Sequence, residues 1–175
     1  NVLYCIFNHN HNENSKLWLD RFLQKERDAF ILDSGSDEPL EDKRVLKYDN
    51  IYWSGMYDEA VRICNEDGYG WLFLVCDDIL IDEENFSKLL TSIDSVVTSD
   101  DIGIYQTSTT EKSHNIWPNN MNKGTDGMRD TSCIEGWLML IRIDVLNEMK
   151  RYGFNYSKDM KYGWGIDVLL SYTSL

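Results

Sequence analysis

Positive charge is scarce in this sequence: 17 Lys and Arg stand against 30 Asp and Glu, for a formal net charge of −13. A surface this negative repels phosphate backbones and anionic headgroups, which excludes charge-driven binding to nucleic acid or to a membrane surface. An anionic ligand would need a cation to bridge it. Long apolar runs are also missing. The longest, such as Trp71 to Val75 and Trp137 to Ile141, fall far short of the roughly 20 residues that cross a bilayer, so no transmembrane segment is expected. No basic flank, apolar run and small-residue cleavage site opens the chain, and a start at Asn1 in place of Met reads as a trimmed N-terminus. Cysteine is scattered. Cys5, Cys64, Cys76 and Cys133 form no CxxC pair, and three of them fall in apolar runs or on an apolar helix face, which reads as reduced thiols in a cytoplasmic protein. No internal repeat is visible.

What is present is apolar material for one core. The 175 residues are 42% hydrophobic and 13% aromatic, which excludes the disordered classes and predicts a single domain over 1–175. Val2 to Phe7 reads as a buried strand that stops in the polar cluster Asn8 to Asn12. Asn14 or Ser15 is expected to cap a helix carrying Leu17, Trp18, Phe22 and Leu23. Ala29 to Leu32 returns as a strand and ends in a dense turn cluster, Asp33 to Pro39. Met56, Ala60, Val61 and Cys64 recur at helical spacing before Gly68 and Gly70, and Trp71 to Cys76 follows as a third strand ending at Asp77-Asp78. From an Asp82 N-cap, Phe86, Leu89, Leu90, Ile93, Val96 and Val97 trace the cleanest amphipathic helix. Ile102 to Gln106 and Glu135 to Ile143 are read as further strands, separated by a long polar excursion, and short helices over Asp144 to Arg151 and Asp167 to Tyr172 close the chain.

Strands alternating with helices argue for an α/β layer fold on a mainly parallel, twisted sheet. Right-handed crossovers put the carboxyl ends of parallel strands on one side, where ligands bind. Three strands then deliver Asn8 with His9, Asp33 with its Ser-Gly-Ser, and Asp77 with Asp78 to the same edge. Clustered carboxylates repel unless something positive fills them, most simply a divalent cation. Carboxylate oxygens suit Mg²⁺ or Mn²⁺, although a DD pair after a strand is by itself more often a turn or helix cap.

The runs FILDSGSDE, YGWLFLVCDDILID and YGWGIDVLLSY, in this order and after LYCIFNHN, resemble the family-2 glycosyltransferases of the GT-A fold over nearly the whole chain. The resemblance implies a Rossmann-like three-layer sandwich that transfers a sugar, with inversion, from a UDP-, GDP- or dTDP-linked donor to a saccharide or lipid-linked saccharide acceptor, assisted by Mn²⁺ or Mg²⁺. It implies a nucleotide site at Asn8, His9, Asp33, Ser34 and Asp77, and a DXD-like motif whose metal residue is Asp78. Asp167 of Trp164-Gly165-Ile166-Asp167 is implied as the catalytic base, with Glu135, Trp137, Trp164 and Gly165 at sugar and acceptor. Two departures stand out. Cys76 occupies the place of the first DXD acid, and the chain ends at Leu175 just beyond the base, leaving a third metal ligand unassigned, with His114 as a weak candidate. The rival expectation is a GT-A-like module that binds nucleotide-sugar or carbohydrate without turnover. His9 and His11 have a His-x-His spacing that reads as a hydrated turn rather than a metal site.

Overall fold

The computed structural model describes residues 1–107, 134 and 136–173. β1 (Val2–Asn8) sends Leu3, Cys5 and Phe7 to one face of a sheet and Tyr4 and Ile6 to the other. Period-two side chains that are buried on both sides mark a central strand. The sheet has six strands in the order β3-β2-β1-β4-β6-β5. β2 (Ala29–Ser34) and β4 (Trp71–Cys76) flank β1 in parallel, and β3 (Val45–Tyr48) adds in parallel to β2. β6 (Leu138–Arg142) runs antiparallel to β4, and β5 (Ile104–Gln106) antiparallel to β6.

Helices cover both faces. α1 (Asn12–Gln24) and α3 (Glu83–Val96) pack Trp18, Phe22, Phe86 and Ile93 against Tyr4, Ile6, Phe73 and Val75. The opposite face is covered by α2 (Tyr52–Asp67), α4 (Ile143–Arg151), α5 (Tyr156–Asp159) and α6 (Ile166–Thr173), through Tyr57, Val61, Leu146, Tyr156 and Leu170. The result is a mixed α/β fold on a mostly parallel sheet, in three layers. No helix among the described residues is long and apolar enough to cross a membrane.

Asp82 caps α3 as expected, its side chain accepting from Asn85 N at 2.8 Å, and Gly68 closes α2 in the left-handed conformation. Two local readings change. α1 starts at Asn12, before the expected caps, and Ser15 is buried, its Oγ donating to Asn8 Oδ1 at 2.8 Å in place of capping a helix. β3, α5 and the antiparallel direction of β6 are additions to the sequence reading.

Candidate functional site

The sheet registers bring the strand ends into line. Asn8 pairs with Asp33, Ser34 with Tyr48, and Phe7 with Cys76. Because β6 is antiparallel, its amino end reaches this same edge, where Cys76 N donates to Trp137 O at 2.8 Å. Five chain segments, the ends of β1, β2, β3 and β4 and the start of β6, therefore converge on one rim.

At the end of β2 Asp33 is 1% exposed and braces a turn. Its Oδ1 accepts from Ser36 N at 3.0 Å, and its Oδ2 accepts from Ser36 Oγ at 2.7 Å and from the Asn8 side-chain amide. Gly35 makes that turn feasible, since its φ is +69° and a Cβ there would meet Asn50 N at 2.8 Å. Ser34 Oγ accepts from Ile51 N at 3.0 Å and reaches Asn50, while Ser34 O lies 2.8 Å from His9 Nδ1. A carbonyl only accepts, so His9 carries its proton on Nδ1 and turns Nε2 away as an acceptor.

Asp77 is buried and Asp78 exposed at the end of β4. One Asp77 oxygen accepts from His9 N at 2.8 Å, and the other lies 3.3 Å from His11 Nδ1. Burial is the main force raising the Asp77 carboxyl above its ordinary range. The His9 amide and His11 pull it down, and Asp78 adds to the rise. Burial also pushes the Cys76 thiol far up, with further rises from Asp78 and Asp77, so it stays protonated. Ligand atoms of Cys76, Asp77 and Asp78 lie within 4.8 Å of one another. Two carboxylates beside a neutral thiol fit a divalent cation that prefers oxygen, and Asp78 is its accessible donor. α1 pins the loop that follows: Trp18 Nε1 donates to Ile79 O and Arg21 to Ile81 O, both at 2.7 Å.

Asp167 opens α6 with its Oδ1 accepting from Val168 N at 2.9 Å. Its Cβ lies 3.9 Å from the point where a Cβ of Gly136 would stand, which sets it beside the Trp137 segment that Cys76 binds. Trp164 is 86% exposed just before it. The segment before α6 is fastened to α2, where Ser54 Oγ donates to Lys161 O at 2.5 Å. Nearby, Lys161 Nζ sits 5.3 and 5.4 Å from the ring centres of Tyr52 and Tyr162. A groove of about 340 Å³ runs there from Asn50 to Lys161.

Asn8, His9, Asp33, Ser34, Asp77 and Asp78 thus share one edge, with Trp137 and Asp167 at its β6 side and Trp164 and Gly165 on the segment that leads into α6. Glu135, His114 and Cys133 lie outside the described residues. Sequence reasoning did not single out Ser36, Asn50 or Lys161 as site residues. Ser36 carried a signal, because Asp33 three residues before it is the pattern of a side chain bonding its own turn. His11 was visible as His-x-His, but its bond to Asp77 spans 66 positions and has no sequence signature.

No protein-family model matches the chain, and no curated protein matches it. Among solved structures, the crystal structure of A197 from STIV matches with a TM-score of 0.52 at 13% identity, over 99% of this chain and 77% of that one. A crystal structure from Desulfovibrio desulfuricans G20, of a protein designated "putative nucleotide-diphospho-sugar transferase", matches with a TM-score of 0.44 at 11% identity, over 97% of this chain and 93% of that one. At such identities the likeness to A197 is one of fold.

Proposed function

We propose that this chain is a glycosyltransferase of the GT-A type, resembling family 2, that moves a sugar from a nucleotide-diphosphate donor to a hydroxyl of a saccharide or lipid-linked saccharide, with inversion. A cytoplasmic setting and a UDP-, GDP- or dTDP-linked donor belong to the proposal. The observation that carries it is the alignment along one sheet edge of the Asp33 turn, the Asp77-Asp78 pair and Asp167.

In this reading the nucleotide lies over the ends of β1 and β2. Asn8, Asp33 and Ser34 form a rigid floor there, and His9 offers Nε2 to a base or ribose donor. Asp78, with Asp77 and Cys76 beside it, would hold Mn²⁺ or Mg²⁺, which when bound neutralises charge on a departing diphosphate. Asp167 takes the acceptor's hydroxyl proton as that oxygen bonds to the anomeric carbon. The bond to the diphosphate oxygen breaks with its electron pair, and the carbon inverts. A well-placed general base contributes about 10² to 10⁴ in rate. Trp164 offers a face on which a sugar ring stacks, Trp137 borders the same space, and Gly165 lets the backbone pass close to substrate.

A second reading, a module that binds nucleotide-sugar without turnover, is favoured by one observation: the first position of the acidic motif is a neutral thiol, Cys76. One experiment separates the two. A thermal-shift panel of UDP-, GDP- and dTDP-sugars with and without Mn²⁺ identifies the donor, because a ligand of the native state raises Tm. Turnover of that donor, lost in Asp167→Asn with binding retained, supports the transferase. Binding without turnover supports the module, and no response from any sugar refutes both.

A further inference from the structure

Tyr57 lies beneath this edge on the buried face of α2, and its hydroxyl has no assigned task. The residue is 0% exposed, and its Oη has no hydrogen-bond partner among the described residues. The Trp53 indole raises its acidity only slightly, the smallest influence on the phenol, and stops short of hydrogen-bonding geometry; an indole N–H donates, so the phenol proton is unplaced in either case. The ring is clamped. It stacks on Tyr156 with centres 5.6 Å apart and planes at 18°, and meets Phe7 edge-on at 5.4 Å. A buried hydroxyl without a partner is destabilising, and one fixed this firmly calls for an explanation.

Gly136 provides it. The point where its Cβ would stand is 4.0 Å from Tyr57 Oη, 3.9 Å from Asp167 Cβ and 3.8 Å from Met139 Cε. That point leaves room for about one water or one methyl, and both the phenol and Asp167 border it. We infer that Tyr57 is a positioning residue whose O–H donates to the Asp167 carboxylate through one water seated over Gly136, and holds it aimed into the cleft. The direction of donation is fixed, because burial first, then the charge of Asp167, with Tyr156 and Cys76 adding to it, keep the phenol protonated. Val168 N already holds one Asp167 oxygen, so the phenol supplies the restraint on the other. The inference rests on the transferase reading for the use of Asp167, but not for the contact itself.

The test uses the full chain labelled with [¹³Cζ]tyrosine, the Tyr57 signal being identified by its loss in Tyr57→Phe. In Asp167→Ala that signal moves to the position of an unbonded phenol. Asp167→Asn, nearly isosteric, moves it part of the way and serves if the alanine variant does not fold. In turnover of a UDP-, GDP- and dTDP-sugar panel with Mn²⁺, Tyr57→Phe lowers kcat about 10- to 100-fold, the equivalent of one hydrogen bond to a charged group, with donor KM and Tm unchanged. A Tyr57 signal that does not respond to substitution of Asp167 overturns the inference. A signal that responds, in a protein that turns over no nucleotide-sugar, upholds the contact and overturns the transferase reading.

Discussion

The side-chain amide of Asn8 donates to Asp33 across the β1–β2 register, and the two residues are 0% and 1% exposed. Asn8 is held in turn by Ser15, and Asp33 by Ser36, so a four-residue polar network sits at the head of the sheet. All three donors to Asp33 point at carboxylate oxygens. Asp33→Asn turns one of those oxygens into a donor facing other donors, and a buried polar group left unsatisfied costs about 1–3 kcal/mol. Ser36→Ala removes a single hydroxyl and leaves Asp33 bonded to Asn8, at a cost of about 1 kcal/mol. Urea unfolding should rank Asp33→Asn as the more damaging change. The opposite order would mean that the network is not what holds the turn.

Gly163 carries φ of +85°, and a Cβ placed on it would stand 2.6 to 2.9 Å from Trp53 side-chain atoms. Trp53 cannot simply yield, because its ring packs on Phe7 at 4.9 Å. Gly163→Ala therefore combines a left-handed backbone with a collision, and about 1–3 kcal/mol of stability should be lost. Because Asp167 follows on the same segment, nucleotide-sugar turnover should fall as well, while thermal shifts by the nucleotide alone persist.

Much of this fold could be read in advance where burial leaves a periodic trace. β1 and β4 are short runs buried on both faces, and α3 repeats Phe86, Leu89, Leu90 and Ile93 on one side behind an Asp82 cap. β3 left no such trace. It is an edge strand set among charged residues, and only Val45 of its four residues is buried. The site divides in the same way. Acids at strand ends are visible because chain order and crossover handedness put them on one edge. The pairings that set their state are not visible: Asp33 with Asn8, Asp77 with His9 and His11, and Tyr57 beside Asp167 all join positions far apart in sequence. The apolar spacing read for α2, through Met56, Ala60, Val61 and Cys64, did not include Tyr57, and no spacing shows that its hydroxyl stops short of a partner.

Trp164 is 86% exposed and contributes little to the core. Trp164→Ala should leave stability within about 0.5 kcal/mol of the parent, as surface substitutions do. If its ring stacks on a sugar, acceptor KM should rise while donor binding is unchanged. An unchanged acceptor KM would remove Trp164 from the site and return it to the class of exposed side chains without a role.

Asp77 links pH to cation binding. Burial raises its carboxyl above the ordinary 3.8 in the folded chain. Between 3.8 and that raised midpoint the folded protein keeps a proton that the unfolded chain has released, so the contribution of Asp77 to stability declines as pH rises through this window and stays low above it. Asp77→Asn has no such proton. The stability of the wild type minus that of Asp77→Asn, followed by thermal melts across the acid range, should therefore fall with rising pH and then level off. A divalent cation acts in the opposite sense, because it favours the ionised carboxylate. Added Mn²⁺ should raise wild-type Tm more at neutral pH than in acid, by an amount equivalent to about 2.7 kcal/mol at a hundredfold excess over Kd. Asp78→Asn, which alters the exposed donor and leaves Asp77 buried, should abolish that response while keeping the pH-dependent difference. A Tm rise with Mn²⁺ that survives Asp78→Asn would move the cation elsewhere on this acidic surface.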